Sequence, residues 1–157
     1  MNTNEALERF LVQFEADGRS AHTIGQYRRH IVLLARWLAK ERGDVGVDAI
    51  THEDLARFLA SPDARQRADG TAKKAGSANA LRTSLRVFFR YAHEAGYAST
   101  NPARLIRRAI CGRPPPRGLS DAEAQRLMDV LIVAQGPEAR RDHLLYDLML
   151  GSGIRLS

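Results

Sequence analysis

The sequence predicts an all-α protein: a four-helix domain, a linker, and the first helices of a second domain. Two observations carry this. Apolar residues recur every three or four positions through most of the 157 residues, the spacing that lays one buried face along a helix. Serine, threonine, glycine and proline stand where those runs begin and end. A hydrophobic content of 44% is enough for one ordinary core, or for a small core and part of another.

The first helix is expected over 4–16, where Leu7, Phe10, Leu11 and Phe14 share a face and "DGRS" supplies a stop. Ser20 can cap the second, whose Ile24, Tyr27, Ile31, Leu34 and Leu38 run down to the "ERGD" break. Thr51 can cap a short third helix, with Glu53 and Asp54 in its electropositive first turn and Leu55, Phe58 and Leu59 as its stripe. Residues 61–76, with Pro62, Gly70 and Gly76, read as a loop that holds Lys73 and Lys74. A fourth helix is expected over 77–95, where Ala78, Leu81, Leu85, Phe88 and Ala92 share a narrow apolar sector. Arg82, Arg86 and Arg90 form a stripe beside that sector, and Asn101-Pro102 stops the element.

Three prolines between arginines and glycines in "GRPPPRG", 112–118, favour an extended, semi-rigid linker. Ser120 opens "SDAE", a capping-box pattern with Glu123, and Leu127, Met128, Leu131 and Ile132 supply the apolar face of the helix that follows. A short loop at "QGPEARRD" and a second apolar helix near 142–150 complete the chain. Two helices bury little by themselves, so 118–157 reads as the opening of a larger domain.

Charge is segregated along the chain. Residues 64–117 hold 12 of the 24 basic and 2 of the 18 acidic side chains, which makes this third +10 and the remainder −4. A polyanion-binding surface needs such a concentration, because neutralising phosphates releases counterions; a solvated charged face is the competing reading. The arginine stripe has no acidic partner at the intervening four-residue offsets, which favours phosphate contact, although Glu94 lies four beyond Arg90 and the stems could pack along the core margin. Arg82 borders the apolar sector most closely. The longest apolar runs, "IVLLA" at 31–35 and "VLIVA" at 130–134, fall short of the roughly 20 residues of a membrane span, and the polar N-terminus lacks a signal-peptide pattern. A cytoplasmic protein with no membrane partner is expected. Cys111 and the histidines (His22, His30, His52, His93, His143) show no metal-ligand spacing, so neither a metal nor another cofactor is expected.

Four stretches, "SAHTIGQYRRHI" at 20–31, "FFRYAHEAGYASTNPA" at 88–103, "GLSDAEAQRLM" at 118–128 and "RRDHLLYDLMLGSGIRLS" at 140–157, occur in this order around a basic linker. Together they resemble the tyrosine recombinases, or phage-type integrases, including the Xer-like enzymes. The resemblance implies a helical, SAM-like core-binding domain over 1–111, a Pro-rich basic linker over 112–118, and a truncated N-terminal part of the catalytic domain over 119–157. An artificial cut and a natural gene end both fit that ending. In the family clamp the second and fourth helices lie against the duplex. On this basis Thr23, Gln26, Arg28, Lys73, Lys74, Arg82, Arg86 and Arg90 are the DNA-contact candidates. Double-stranded DNA and other recombinase protomers on it are the implied partners.

The resemblance also implies a role for Arg155. The family's arginine in this box contacts the scissile phosphate, where a planar, permanently charged fork suits a phosphoryl transition state. The family places a lysine, a second arginine with nearby histidines, and the nucleophilic tyrosine farther along than residue 157. Tyr27, Tyr91, Tyr97 and Tyr146 do not match the nucleophile. The chain alone is therefore expected to bind DNA without cleaving it. Two other readings remain: a DNA-binding regulator that only occupies recombination sites, and a helical protein-interaction module that uses the apolar surface of 118–150.

Overall fold

The computed structural model describes residues 1–110, 112 and 118–153. They fall into two compact units, Met1–Gly112 and Arg113–Ser157. Among the described residues every regular element is helical.

The first unit opens with α1 (Thr3–Ala16), where the Asn2 side chain accepts the Glu5 N–H at 2.8 Å and so satisfies one of the orphan donors of the first turn. Ser20 does the same for α2 (Ala21–Arg42), accepting from Thr23 N–H at 3.3 Å, and Gly43 ends the helix at a φ of +78°. A single 3₁₀ turn, Val47–Ala49, leads to α3 (His52–Ala60), which starts on a complete capping box between Thr51 and Asp54. Asp54 is buried, and its Oδ2 accepts from Thr51 N–H at 2.9 Å, from Thr51 Oγ1 at 3.1 Å and from the Arg42 guanidinium. The C-terminus of α2 is thereby tied to the start of α3.

Residues 61–76 are more structured than a loop. Pro62 occupies the first turn of a one-turn helix, α4 (Pro62–Arg65), where its missing N–H costs nothing, and Ala64 anchors it in the core. Gln66 then pairs with Ala72 to close a small hairpin around Gly70, whose φ is +78°. The next helix, α5 (Ala75–Glu94), starts two residues before the expected 77. It ends at Ala95 and Gly96, not at Asn101-Pro102: Gly96 takes a φ of +75°, and the Ala95 N–H caps back onto the Tyr91 and His93 carbonyls.

One core joins these elements. Leu7, Phe10 and Leu11 of α1, Ile31, Leu34 and Leu38 of α2, Leu55 and Phe58 of α3, and Leu81, Leu85, Phe88 and Phe89 of α5 are all buried in a single cluster. The Phe10 ring lies 4.3 to 5.5 Å from the rings of Phe14, Tyr27, Phe88 and Tyr91, in the tilted and edge-on arrangements aromatic quadrupoles prefer. Beyond α5 the chain folds back. Asn79, buried in α5, donates to the Ala109 carbonyl at 3.1 Å and accepts its N–H at 2.7 Å, a two-point clamp on the irregular segment beyond α5.

The second unit contains α6 (Asp121–Val133) and α7 (Pro137–Ser152). Ser120 and Glu123 form the expected capping box. The second helix starts five residues before 142, because Pro137 serves as its first residue and "PEARRD" becomes its first turns. Gly153 closes α7 in the left-handed conformation, with its N–H on the Met149 carbonyl at 2.9 Å. No side chain of α6 is buried, and Val130, Ile132, Val133, Leu144 and Leu148 are exposed. The proline strap at 113–117, Cys111 and Arg155 lie outside the described residues. Among the described residues no helix is long and apolar enough to cross a membrane, and no group of three His, Cys, Asp or Glu side chains could hold a metal ion.

Candidate nucleic-acid interface

Helix α5 turns one side to the core and the other to solvent. Ser84 and Phe88 are buried, and Arg86, two positions from each, points about 200° away from them. Arg86 and Arg90 are exposed. They line an open groove of about 340 Å³ with Thr83, and from the turn beyond α5 Asn101 and Arg104 form its other wall. Glu94 is weakly placed, its Oε1 4.0 Å from Arg90 Nε with both side chains mostly in solvent, and Asp48 lines an adjoining cleft with Arg90 and Arg104. Asn101-Pro102 therefore builds this wall: the Asn101 side chain accepts from Ala103 N–H at 3.0 Å, and the Pro102 carbonyl accepts from His52 Nδ1 at 3.2 Å, which pins the turn to α3.

Arg82 behaves differently from its two stripe mates. It is half-buried in a separate cleft with Leu59 and Leu81, and its guanidinium donates to the Ala78 carbonyl at 3.2 Å, one turn back on its own helix. Its stem packs, as arginines on a core margin do.

On α2 the candidates separate. Arg28 is exposed and held by Glu8 of α1 through two hydrogen bonds of 2.7 and 3.2 Å. Gln26, two residues before it, lies on the opposite side of the helix. Thr23 is part of the α2 cap, its Oγ1 2.9 Å from Ser20 Oγ. The neighbour of Arg28, Arg29, falls on the Gln26 side. Lys73 extends from the hairpin and donates its Nζ to the Asp63 carbonyl at 2.9 Å. Lys74 is exposed and occupies the N-cap position of α5 without a side-chain cap bond. Arg86 and Arg90 thus line the α5 groove, while Lys73 lines clefts shared with α2 and α5.

The sequence profile of the family described as phage integrase, N-terminal SAM-like domain, matches residues 7–96, more than half of the chain. This chain belongs to the phage integrase family. The tyrosine recombinase XerD of Ralstonia nicotianae is 33% identical over 159 residues, covering 99% of this chain and 48% of the relative. The tyrosine recombinase XerC of Xanthomonas axonopodis pv. citri is 31% identical, covering 97% of this chain and 50% of the relative. The integrase-family chain thus spans about half the length of the relatives it matches. Among solved structures, a lambda integrase dimer bound to a COC′ core site superposes with a TM-score of 0.58 at 23% identity, covering 86% of this chain and 45% of that one. The integrase from mycobacterium phage Brujita gives 0.52 at 19% identity, covering 95% and 45%. These two establish the fold.

Three residues of this integrase-family surface escaped the sequence reading. Arg104 is distant from the α5 stripe in sequence and joins it only because the 97–104 turn folds back. Arg29 could have been found from helix phase, since it follows Gln26 by three positions and Arg28 does not. His30 had no local signal: its partner, Ser84, is 54 positions away.

Proposed function

We propose that this chain binds double-stranded DNA as the core-binding part of a tyrosine recombinase, alongside other protomers on the same DNA, with the cytoplasm as its place of action. The observation that carries the reading is the groove of Arg86, Arg90 and Arg104, three guanidiniums on a helix and a pinned turn, with Glu94 only loosely placed beside Arg90. Fixed, planar, permanently charged donors are what backbone phosphates bind. The lambda integrase relative bound to a core site and the recombinases XerC and XerD support this choice of partner. Residues 1–111 are the DNA-binding domain in this reading, 112–118 the linker, and 119–157 the start of the catalytic domain, where Arg155 keeps the phosphate-directed role that the resemblance gives it.

A gel-shift titration at low salt tests it. Replacing Arg86 and Arg90 by glutamate is expected to weaken duplex binding by at least ~10-fold and to reduce the dependence of log affinity on log salt by about two phosphates' worth. Unchanged affinity would remove α5 from the interface. The exposed apolar side chains of α6 and α7 favour protein interaction as the second reading; binding to a protein partner through them would persist as salt rises, whereas DNA binding would not.

A further inference from the structure

Where α3, α4, the hairpin and α5 meet, the fold leaves a cleft of about 410 Å³ outside the arginine groove. Three cations line it, Arg65, Lys73 and Arg82. The hairpin brings the first two together. Gln66 pairs with Ala72, the Arg67 N–H donates to the Thr71 carbonyl at 2.8 Å, and the Lys73 N–H donates to the Arg65 carbonyl at 2.7 Å, so residues 65 and 73 stand side by side at its base. Arg82 is the third, contributed by α5. Among the described residues none that lines the cleft is acidic.

Each of the three has donors to spare. Arg65 is exposed, and no hydrogen bond or ion pair engages its guanidinium among the described residues. Lys73 Nζ gives one N–H to the Asp63 carbonyl at 2.9 Å and Arg82 gives one to the Ala78 carbonyl at 3.2 Å, whereas an ammonium carries three donors and a guanidinium five. The two acids of this segment leave the cations uncompensated. Asp69 Oδ1 is engaged inside the hairpin, accepting from Thr71 N–H at 2.9 Å and Thr71 Oγ1 at 2.6 Å. Asp63 lines a neighbouring cleft that Lys73 also borders, and it is the main-chain carbonyl of Asp63 that Lys73 meets. Among the described residues no ion pair joins a carboxylate to Arg65, Lys73 or Arg82.

Like charges gathered without a carboxylate repel, and a bound anion offsets them. Donors arriving from a hairpin and a helix suit the several oxygens of a tetrahedral phosphate better than the two of a planar carboxylate. The cleft is larger than one phosphate group, and Leu59, Pro62 and Leu81 give it apolar surface for the sugar or base that carries the phosphate. We propose that this cleft seats one phosphate ester, held by Arg65, Lys73 and Arg82 together and distinct from the phosphates of the arginine groove. The ester belongs either to a DNA strand or to a free nucleotide, which present the same group. In the first case the site rests on the DNA-binding reading; in the second it stands without it.

The test uses the full chain at low ionic strength, with the side-chain NMR signals of Arg82 as readout and two probes, a mixed-sequence duplex oligonucleotide and deoxyadenosine monophosphate. Arg65→Gln removes one cation whose side chain holds nothing in the fold, so the hairpin is kept. If the ester is DNA, the duplex moves the Arg82 signals, and Arg65→Gln weakens duplex affinity ~3–5-fold and lowers the slope of log affinity against log salt by about one, whether or not Arg86 and Arg90 are replaced by glutamate. If the ester is a free nucleotide, the monophosphate moves the Arg82 signals saturably, Arg65→Gln weakens that binding at least ~3-fold, and duplex affinity is unchanged. Either result supports the site. Arg82 signals unmoved by both probes, or responses in Arg65→Gln equal to those of wild type, overturn it and leave the arginine groove standing. Absence of duplex binding in every protein overturns the DNA-binding reading, and the monophosphate then decides the cleft by itself.

Discussion

Asp54 has 4% of its surface exposed, and one of its oxygens serves three donors. Burial alone would raise its pKa; the two Thr51 bonds and Arg42 outweigh that and hold the carboxylate below its ordinary value of 3.8. A carboxyl whose folded-state pKa is depressed contributes stability that is present above the unfolded value and is lost as pH falls below it. Asp54→Asn is therefore expected to cost about 1–3 kcal/mol near pH 7, the range for a charged hydrogen bond in a buried setting. The cost should shrink as pH falls below the unfolded value and through the depressed folded one, as wild type takes up the proton too. Urea midpoints of the two proteins across that range check it; a constant gap would show that shape, and not charge, sets the contribution. The start of α3 was legible at this scale because a capping box is local, "THED" being four adjacent letters. The pairing of Arg28 with Glu8 was not, since the partners lie 20 positions apart and meet only when α1 packs on α2.

At the scale of elements, periodicity revealed α1, α2, α3 and α5, because each buries a stripe that recurs at the helical period. It failed where a proline starts a helix. Pro62 and Pro137 look like stop signals, yet each occupies the first turn, where the missing N–H has no partner to lose, so α4 was hidden and α7 began early. The two units also differ in how their helices are covered. Four side chains of α2 are buried in the common core, and none of α6 is. Because opening free energy follows buried apolar contact, amide hydrogens of α6 are expected to exchange at least ~100-fold faster than those in the middle of α2. Hydrogen-exchange mass spectrometry on the chain in its monomeric state measures this directly. Equal protection in the two helices would mean that α6 is covered by something other than its own unit.

Across the whole molecule, charge and fold divide at the same place. Residues 1–112 carry 18 basic and 12 acidic side chains, and residues 113–157 carry six of each, so the entire net charge of +6 belongs to the first unit. That unit also owns the aromatic core and the arginine groove. The uneven charge was visible in the sequence, but the place of Arg104 beside Arg86 and Arg90 was not, because the turn beyond α5 brings it back only in the fold. If phosphate contact resides in the first unit, a protein of residues 1–112 should fold cooperatively, and its duplex affinity at low salt should lie within about threefold of the full chain's, with a parallel salt dependence. Fluorescence anisotropy over a series of salt concentrations gives both quantities. An affinity more than ~10-fold weaker, with a shallower slope, would assign phosphate contacts to Arg113, Arg117 or the helices beyond them.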